Sequence, residues 1–345
     1  MQVFLLFFVG IFSGRLSDAG YFKTLLATGS LLEVFSIFMA SLSTKYWQIF
    51  LAQGVGQSLG AGLMFCPATA LSPTYFSSKK TFVMGCVASG SATGGMVFPA
   101  MVLRLLPRIG YAWTMRTLGF VELAILTPCV IFLRQRLPPR KSGPLLELGA
   151  FKEPPYLLFT VGMFLNFCGL YVGYFYIGSF GRNIIGVSQS TSVYLLLVMN
   201  GVGLPMRLIP SLYASKYTGP LNMVVPSALA TGIAAFGWAG VKNLGGLYTW
   251  AVFYGSVAAS LQALFPGTLG SLTTDLQKVG VRFGMVFAVV GVSVLIGSPI
   301  AGVLIQSDNG QYLYAQMFMG CMITVGSLVL ASCRIAKVGI GLQRV

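Results

Sequence analysis

Stretches of about twenty apolar residues, bounded by charges, prolines and glycines, recur along this chain and leave its fold little freedom. A helix rising about 1.5 Å per residue needs about 20 such residues to cross about 30 Å of hydrocarbon. The runs fall at roughly 1–13, 23–42, 47–69, 81–103, 115–133, 155–178, 190–213, 219–240, 246–267, 282–306 and 312–333, eleven candidate spans. With 56% hydrophobic and 8% charged residues, the chain carries more apolar surface than one soluble core can hide. The expectation is an all-α polytopic membrane protein, and a soluble enzyme and a disordered chain are excluded. A secretory signal peptide is not expected at the start, because Met1 runs straight into an apolar segment without a basic leader.

The residues that are missing narrow the chemistry. There is no histidine, and the acids are Asp18, Glu33, Glu122, Glu147, Glu153, Asp275 and Asp308. A Ser-His-Asp triad, a histidine-ligated metal and a histidine proton relay are therefore impossible. Only Glu147 and Glu153 are close in sequence, and they sit in a loop. Cys66, Cys86, Cys129, Cys168, Cys321 and Cys333 fall inside apolar runs without CxxC spacing, so buried packing is expected of each rather than zinc or disulfides. No catalytic group, metal or cofactor is expected, and no GxxxxGK run offers an ATP site.

Lys and Arg accumulate in short cytoplasmic loops. One alternate set of loops with the C-terminal tail carries fifteen of the 22 basic residues, including Arg15, Lys23, Arg134, Arg136, Arg140, Lys141, Lys278, Arg282 and Arg344. The opposite set carries six, and Arg207 lies within a span. The C-terminus is thus expected in the cytoplasm. The net charge of +15 reads as a topology signal with some attraction to anionic lipid, and needs no nucleic-acid partner. The longest polar stretch, Arg134 to Glu153, is rich in proline and glycine. It divides the chain into 1–133, a helical bundle of five spans; 134–154, a cytoplasmic linker; and 155–345, a bundle of six spans with a short tail.

Two stretches about 200 residues apart share a rhythm: Gly85, Gly90, Gly94, Gly95 and Pro99 in one, Gly284, Gly291, Gly297 and Pro299 in the other. Tyr46-Trp47 with Phe50 and Thr249-Trp250 with Phe253 open a second matching pair. An internal repeat follows, with the first half short of its opening span. Glycines four apart, as in Gly56 and Gly60 or Gly90 and Gly94, let helix backbones approach closely in lipid. Tight packing is the plain reading of them, and helices that slide in an alternating-access carrier are the other.

The loop Gly14-Arg15-Leu16-Ser17-Asp18-Ala19-Gly20-Tyr21-Phe22-Lys23 resembles the cytoplasmic signature loop after the second helix of the major facilitator superfamily. Tyr46-Trp47-Gln48, Gln53-Gly54, Gly85 to Gly95 with Pro99, Trp113 to Arg116, and Gly280 to Gly284 with Pro299-Ile300-Ala301-Gly302 are similar to fungal members of its monocarboxylate-porter family. The resemblance spans nearly the whole chain. It implies a two-bundle fold around a central cavity with twelve helices, of which about eleven are found; the absent one would be the first, a cavity-lining helix. It also implies a gating latch at Gly14, Asp18 and Gly20, with Asp275 and Arg282 in the matching gate before the penultimate span. In the corresponding second-half loop, Ser215 stands where an acid is usual, so a weaker latch is expected there.

Glu33, Glu122 and Arg207 lie inside spans, where a charge costs from about 2.5 to above 10 kcal/mol. Arg207 could snorkel to the headgroups from about 9 Å away, or face a cavity and bind a carboxylate. The resemblance favours the cavity and an acid one turn earlier, but Gly203 stands there. Arg207 would then take an anionic substrate as counter-ion, with Asn200 as a neutral hydrogen-bond partner. Asn166, Tyr171, Tyr174 and Tyr176 bring polar tips to one apolar helix, as a cavity wall or as an interfacial belt. Glu33 and Glu122 are the proton-coupling candidates, with a neutral or lipid-edge glutamate as the other reading of each.

The expected function is secondary transport of a small organic solute, a monocarboxylate or other organic anion, by alternating access in the cell membrane. The expected partners are the solute, a proton if Glu33 or Glu122 titrates, and lipid. The alternatives are export of a fungal secondary metabolite and a truncated, non-transporting relic.

Overall fold

A computed structural model of the chain describes residues 1–76, 79–136, 138, 145–273, 275–339 and 341. Arg140, Lys141 and Arg344 of the basic set, and Pro139, Gly143 and Pro144 of the linker, lie outside the described residues. Among those described there are helices and turns and no strand. The helices are α1 (Gln2–Phe8), α2 (Gly10–Leu16), α3 (Phe22–Ser41), α4 (Tyr46–Ile49), α5 (Gln57–Tyr75), α6 (Lys80–Phe132), α7 (Pro154–Phe180), α8 (Gln189–Tyr213), α9 (Pro220–Gly237), α10 (Leu244–Leu272), α11 (Val279–Ser307) and α12 (Leu313–Val338). A π-helical stretch, Phe50–Gly56, joins α4 to α5.

Eight continuous helical stretches are long and apolar enough to cross a membrane. Two of them, at 40 and 53 residues, are too long for one crossing, and each turns at a glycine: Gly20 (φ +100°) before α3 and Gly110 (φ +72°) within α6. Both angles lie where only glycine is relaxed. The remaining crossing is α10, whose glycines, serine and aromatics dilute its hydropathy. Leu247, Ala251, Ala258, Leu261 and Leu264 there are fully buried, so the helix need not be apolar on every side. Helix thus covers each of the eleven expected segments among the described residues, with one correction. Residues 104–114 were expected to form a loop around Arg104 and Arg108, yet helix continues to Ile109, and the turn is confined to Gly110. Arginines near a span end can extend to the headgroups without breaking the helix.

The chain folds as an all-α polytopic membrane protein and groups into two compact units that cut across the division at the linker. One comprises Met1–Tyr75, Met101–Leu148 and Thr273–Val292; the other comprises Phe76–Ala100, Gly149–Leu272 and Ser293–Val345. Glycine contacts give the reason. In the first unit, α2 crosses the start of α11 at bare backbone: a methyl group on Gly14 would occupy the Gly280 carbonyl, and one on Gly284 the Gly10 carbonyl. In the second, Gly85 at the start of α6 lies on α8, where an added Cβ would sit 2.5 Å from Ser211 Cβ and 2.8 Å from the Arg207 carbonyl oxygen. Gly85 and Gly284 belong to the two halves of the sequence repeat, and each draws its helix onto an equivalent neighbour. The loops agree: five-residue π-helical turns at Ser17–Tyr21 and Ala214–Thr218 end on positive-φ glycines, Gly20 and Gly219.

The spaced glycines divide by role. Gly56 and Gly60 press on Ser36 and on the Glu33 backbone, locking α3 against the α5 segment. Gly90 meets nothing within 4 Å and Gly94 only Phe98 of its own helix, so this second pair packs no helix among the described residues. The cysteines are all free. Cys66, Cys168 and Cys333 are buried as expected, but Cys86 and Cys321 are exposed.

Candidate functional site

Arg207 is the centre of the most chemically loaded region of the second unit. Its helix, α8, starts on Ser188, whose hydroxyl accepts the Thr191 N–H at 3.2 Å. The helix contains Pro205 and Pro210. Proline has no N–H to donate, so Pro210 leaves the Met206 carbonyl without its helical partner. The Ser260 hydroxyl of α10 lies 2.9 Å from that carbonyl and 3.0 Å from the Ser256 carbonyl. One level up, a Cβ on Gly203 would stand 3.1 Å from Ala259, and one on Gly255 would stand 2.9 Å from Met199 Cα. Small residues therefore bring α8 and α10 together at the height of Arg207. The same contact explains why no acid precedes Arg207 by one turn: position 203 is filled by α10.

Arg207 is 4% exposed, which removes the snorkelling alternative. Its Nη2 donates to Gln262 Oε1 of α10 at 3.2 Å, while Nε and Nη1 find no acceptor among the described residues. No described carboxylate forms an ion pair with it. A buried guanidinium with one neutral partner and two donors unmatched among the described residues has the chemistry to take an oxyanion.

Aromatic rings wall this region. Tyr171 and Tyr174 of α7 stand within electrostatic range of Arg207, and the Tyr174 hydroxyl is within hydrogen-bond reach of Gln262. Ring centroids are 6.3 Å apart for Tyr171 and Tyr174 and 6.1 Å apart for Tyr174 and Tyr254. The Tyr254 hydroxyl donates to the Leu170 carbonyl at 2.6 Å, and its ring stacks on Trp250 at 4.7 Å, which stacks on Trp238. The partly buried phenols of Tyr171 and Tyr174 stand near the buried Arg207 guanidinium. Tyr176 turns elsewhere and donates to the Ser298 carbonyl at 3.0 Å.

Two other expected ligands make no hydrogen bond to the guanidinium. Asn166 is fully buried against Gly326 of α12, its Nδ2 donating to the Gly162 carbonyl at 2.8 Å. Asn200 is half-buried on α8, with Nδ2 donating to the Leu196 carbonyl at 2.9 Å and its amide packed on Gly95 of α6. In the first unit, Glu33 of α3 and Glu122 of α6 lie close enough for their charges to interact, and Glu122 Oε2 is buried without a partner among the described residues.

The signature loop is well defined. Asp18 accepts the Gly280 N–H at 3.1 Å through Oδ1 and the Val281 N–H at 2.9 Å through Oδ2. A carboxylate at the first turn of α11 satisfies donors that the helix cannot and faces the positive end of its dipole. Gly14 and Gly20 divide the work expected of them, since Gly14 permits the close crossing and Gly20 the turn. Asp275 caps the short turn before α11, accepting the Gln277 N–H at 2.9 Å, and lies 3.8 Å from Lys278. Arg282 is buried and donates through Nε to Glu147 Oε2 at 3.3 Å, while Lys278 donates to Glu147 Oε1 at 2.8 Å. Burial raises the Glu147 pKa, but the hydrogen bonds and charges of Lys278 and Arg282 outweigh it and hold the carboxyl below its ordinary range. Sequence reasoning placed Glu147 in a loop without a role and passed over Gln262 entirely. The signal for Gln262 was available: an amide in the middle of a membrane-length helix.

Comparison with known proteins follows this geometry. Residues 1–275 match the family model described as Major Facilitator Superfamily. An MFS-type transporter of Gibberella zeae is 42% identical over 340 residues, covering 98% of this chain and 77% of the relative. The aspyridones efflux protein apdF of Emericella nidulans is 32% identical over 330 residues, covering 95% and 67%. Among solved structures, the human organic anion transporter MFSD10 (TETRAN) superposes with a TM-score of 0.77 at 13% identity, over 95% of this chain and 81% of that one. The fucose:proton symporter FucP of E. coli gives 0.75 at 14% identity, over 96% and 89%. At such identities the likeness concerns the fold.

Proposed function

Since the chain belongs to the major facilitator superfamily, we propose that it moves a small organic anion across a membrane by alternating access, with Arg207 as the anchor for the anionic group. The observation that carries this reading is the buried guanidinium whose Nε and Nη1 have no acceptor among the described residues. A charge left in that state inside a membrane protein is costly, and a carboxylate that enters beside it offsets the cost with charge-assisted hydrogen bonds. The phenols of Tyr171 and Tyr174 add donors and a flat apolar wall suited to an unsaturated or ring-bearing solute.

The direction we propose is export, supported by the efflux role printed in the name of the apdF relative. An exported metabolite carrying one carboxylate satisfies both the arginine and the relatives, and keeps the monocarboxylate class. Glu33 and Glu122 are proposed to carry a coupled proton, and Asp18 to latch the gate that α2 and α11 form. A cytoplasmic C-terminus and the cell membrane are part of the proposal, supported by the excess of basic residues in one set of loops.

The test is uptake of a panel of labelled organic acids into liposomes holding the purified protein, with and without a pH gradient. Arg207→Lys keeps the charge but loses the planar fork, and is expected to cut anion transport severely. Unaltered transport by Arg207→Lys would remove Arg207 from the role assigned to it.

A further inference from the structure

We propose that Gln262 sets the charge that this site accepts: its neutral amide holds Arg207 in place without neutralising it, and so reserves the guanidinium for a singly charged oxyanion. The inference rests on the reading of Arg207 as an anion anchor and deepens it by assigning the residue that determines charge selectivity.

Three observations converge. Gln262 Oε1 accepts from Arg207 Nη2 at 3.2 Å, the only hydrogen bond of that guanidinium among the described residues. The position is fixed, because Ser260 is tied to the Met206 carbonyl at 2.9 Å and Gly203 abuts Ala259, so α10 cannot slide along α8 to bring another side chain to Arg207. Finally, an amide has two ends. With Oε1 committed to Arg207, the NH2 end is left to donate, and the Tyr174 phenol stands beside both side chains. A phenol oxygen that accepts from the amide keeps its own proton to donate. Arg207 Nε, Arg207 Nη1 and the Tyr174 hydroxyl are then all donors, and a solute oxygen without a proton complements them. A glutamate at position 262 would have nearly the same shape and the opposite effect. Its carboxylate would pair with Arg207, and a second anion would enter a neutral site.

The experiment compares Gln262→Glu and Gln262→Leu in the full chain, purified in detergent and reconstituted in liposomes, with labelled benzoate as the carboxylate probe. Gln262→Glu is expected to weaken benzoate binding by about tenfold or more, and Gln262→Leu, which disturbs the shape but keeps the free charge, to weaken it less. A purely structural glutamine gives the reverse order, and that order would overturn the proposal. A second readout needs no ligand: Gln262→Glu should raise the melting temperature by pairing with Arg207, and the gain should vanish in the Arg207→Gln background. Absence of that gain also overturns the proposal. Wild-type protein that ignores benzoate, or an Arg207→Gln variant that binds it normally, would instead sink the anion-anchor reading, while the melting comparison still decides what Gln262 does.

Discussion

Asparagine in place of Asp18 changes one oxygen to an amide nitrogen and should loosen the crossing of α2 and α11. The carboxylate now accepts two backbone N–H groups, from Gly280 and Val281. Asparagine can accept only one, and presents its own N–H groups to the other. The loss is one charge-assisted bond, worth about 1.5–3 kcal/mol, together with about 0.3–1 kcal/mol of charge against the helix dipole. Allowing for a partly buried site, about 2 kcal/mol is removed from the closed arrangement, which is about a 30-fold shift toward opening. The chain carries its own reporter, because Cys66 is 0% exposed and its Sγ lies 3.8 Å from the Gly280 carbonyl, in the heart of the crossing. With the other five cysteines replaced by alanine, alkylation of Cys66 by N-ethylmaleimide measures how often the crossing opens. Asp18→Asn should raise that rate by about 30-fold at constant pH. An unchanged rate in protein that still elutes as a folded monomer would refute the idea that this carboxylate holds the helices together.

Other substitutions separate packing from chemistry. Gly284→Leu forces a side chain into the Gly10 backbone and should lower the melting temperature by the equivalent of about 3 kcal/mol or more, whereas Gly90→Ala meets open space and should leave it unchanged or slightly higher. Because the Glu147 pKa is lowered in the folded chain, its contribution is full above the ordinary carboxylate range and is lost as pH falls through the lowered value. The melting-temperature gap between wild type and Glu147→Gln should therefore hold at neutral pH and close on acidification, at no more than about 1 kcal/mol because Lys278 is 32% exposed. Replacing both Glu33 and Glu122 by glutamine should make transport insensitive to a pH gradient in the liposome assay; a retained response would free both residues of the proton role.

What could be read from the sequence was whatever repeats or stands out against a uniform background. The spans followed from apolar length, because every backbone polar group in lipid must be satisfied within its own helix. Arg207 stood out as a charge inside a span, where charge is costly, and Asp18 stood out through the loop that resembles a family signature. The partners of those charges were not legible, since Gly280 lies 262 positions from Asp18 and contributes only its backbone N–H. The pairing of Gln262 with Arg207 is likewise invisible until Gly203, Gly255 and Ala259 are known to pack between their helices, because small residues record close packing without naming the neighbour. The turn around Gly110 was expected too long for a different reason: the arginines near it look like a loop by composition, yet a helix end tolerates them.

The separation of Arg207 from Gln262 bears on how the chain is made. The two residues are 55 positions apart, so at about 5–20 residues per second the ribosome takes about 3–11 s to deliver the second after the first. During that interval α8 has entered, or waits beside, the bilayer with a guanidinium that its later neighbour cannot yet reach, at an insertion cost of about 2.5–3.5 kcal/mol. Biogenesis of this protein thus has a vulnerable moment between its eighth and tenth helices, when the nascent α8 depends on the insertion machinery for the shelter that α10 will later provide.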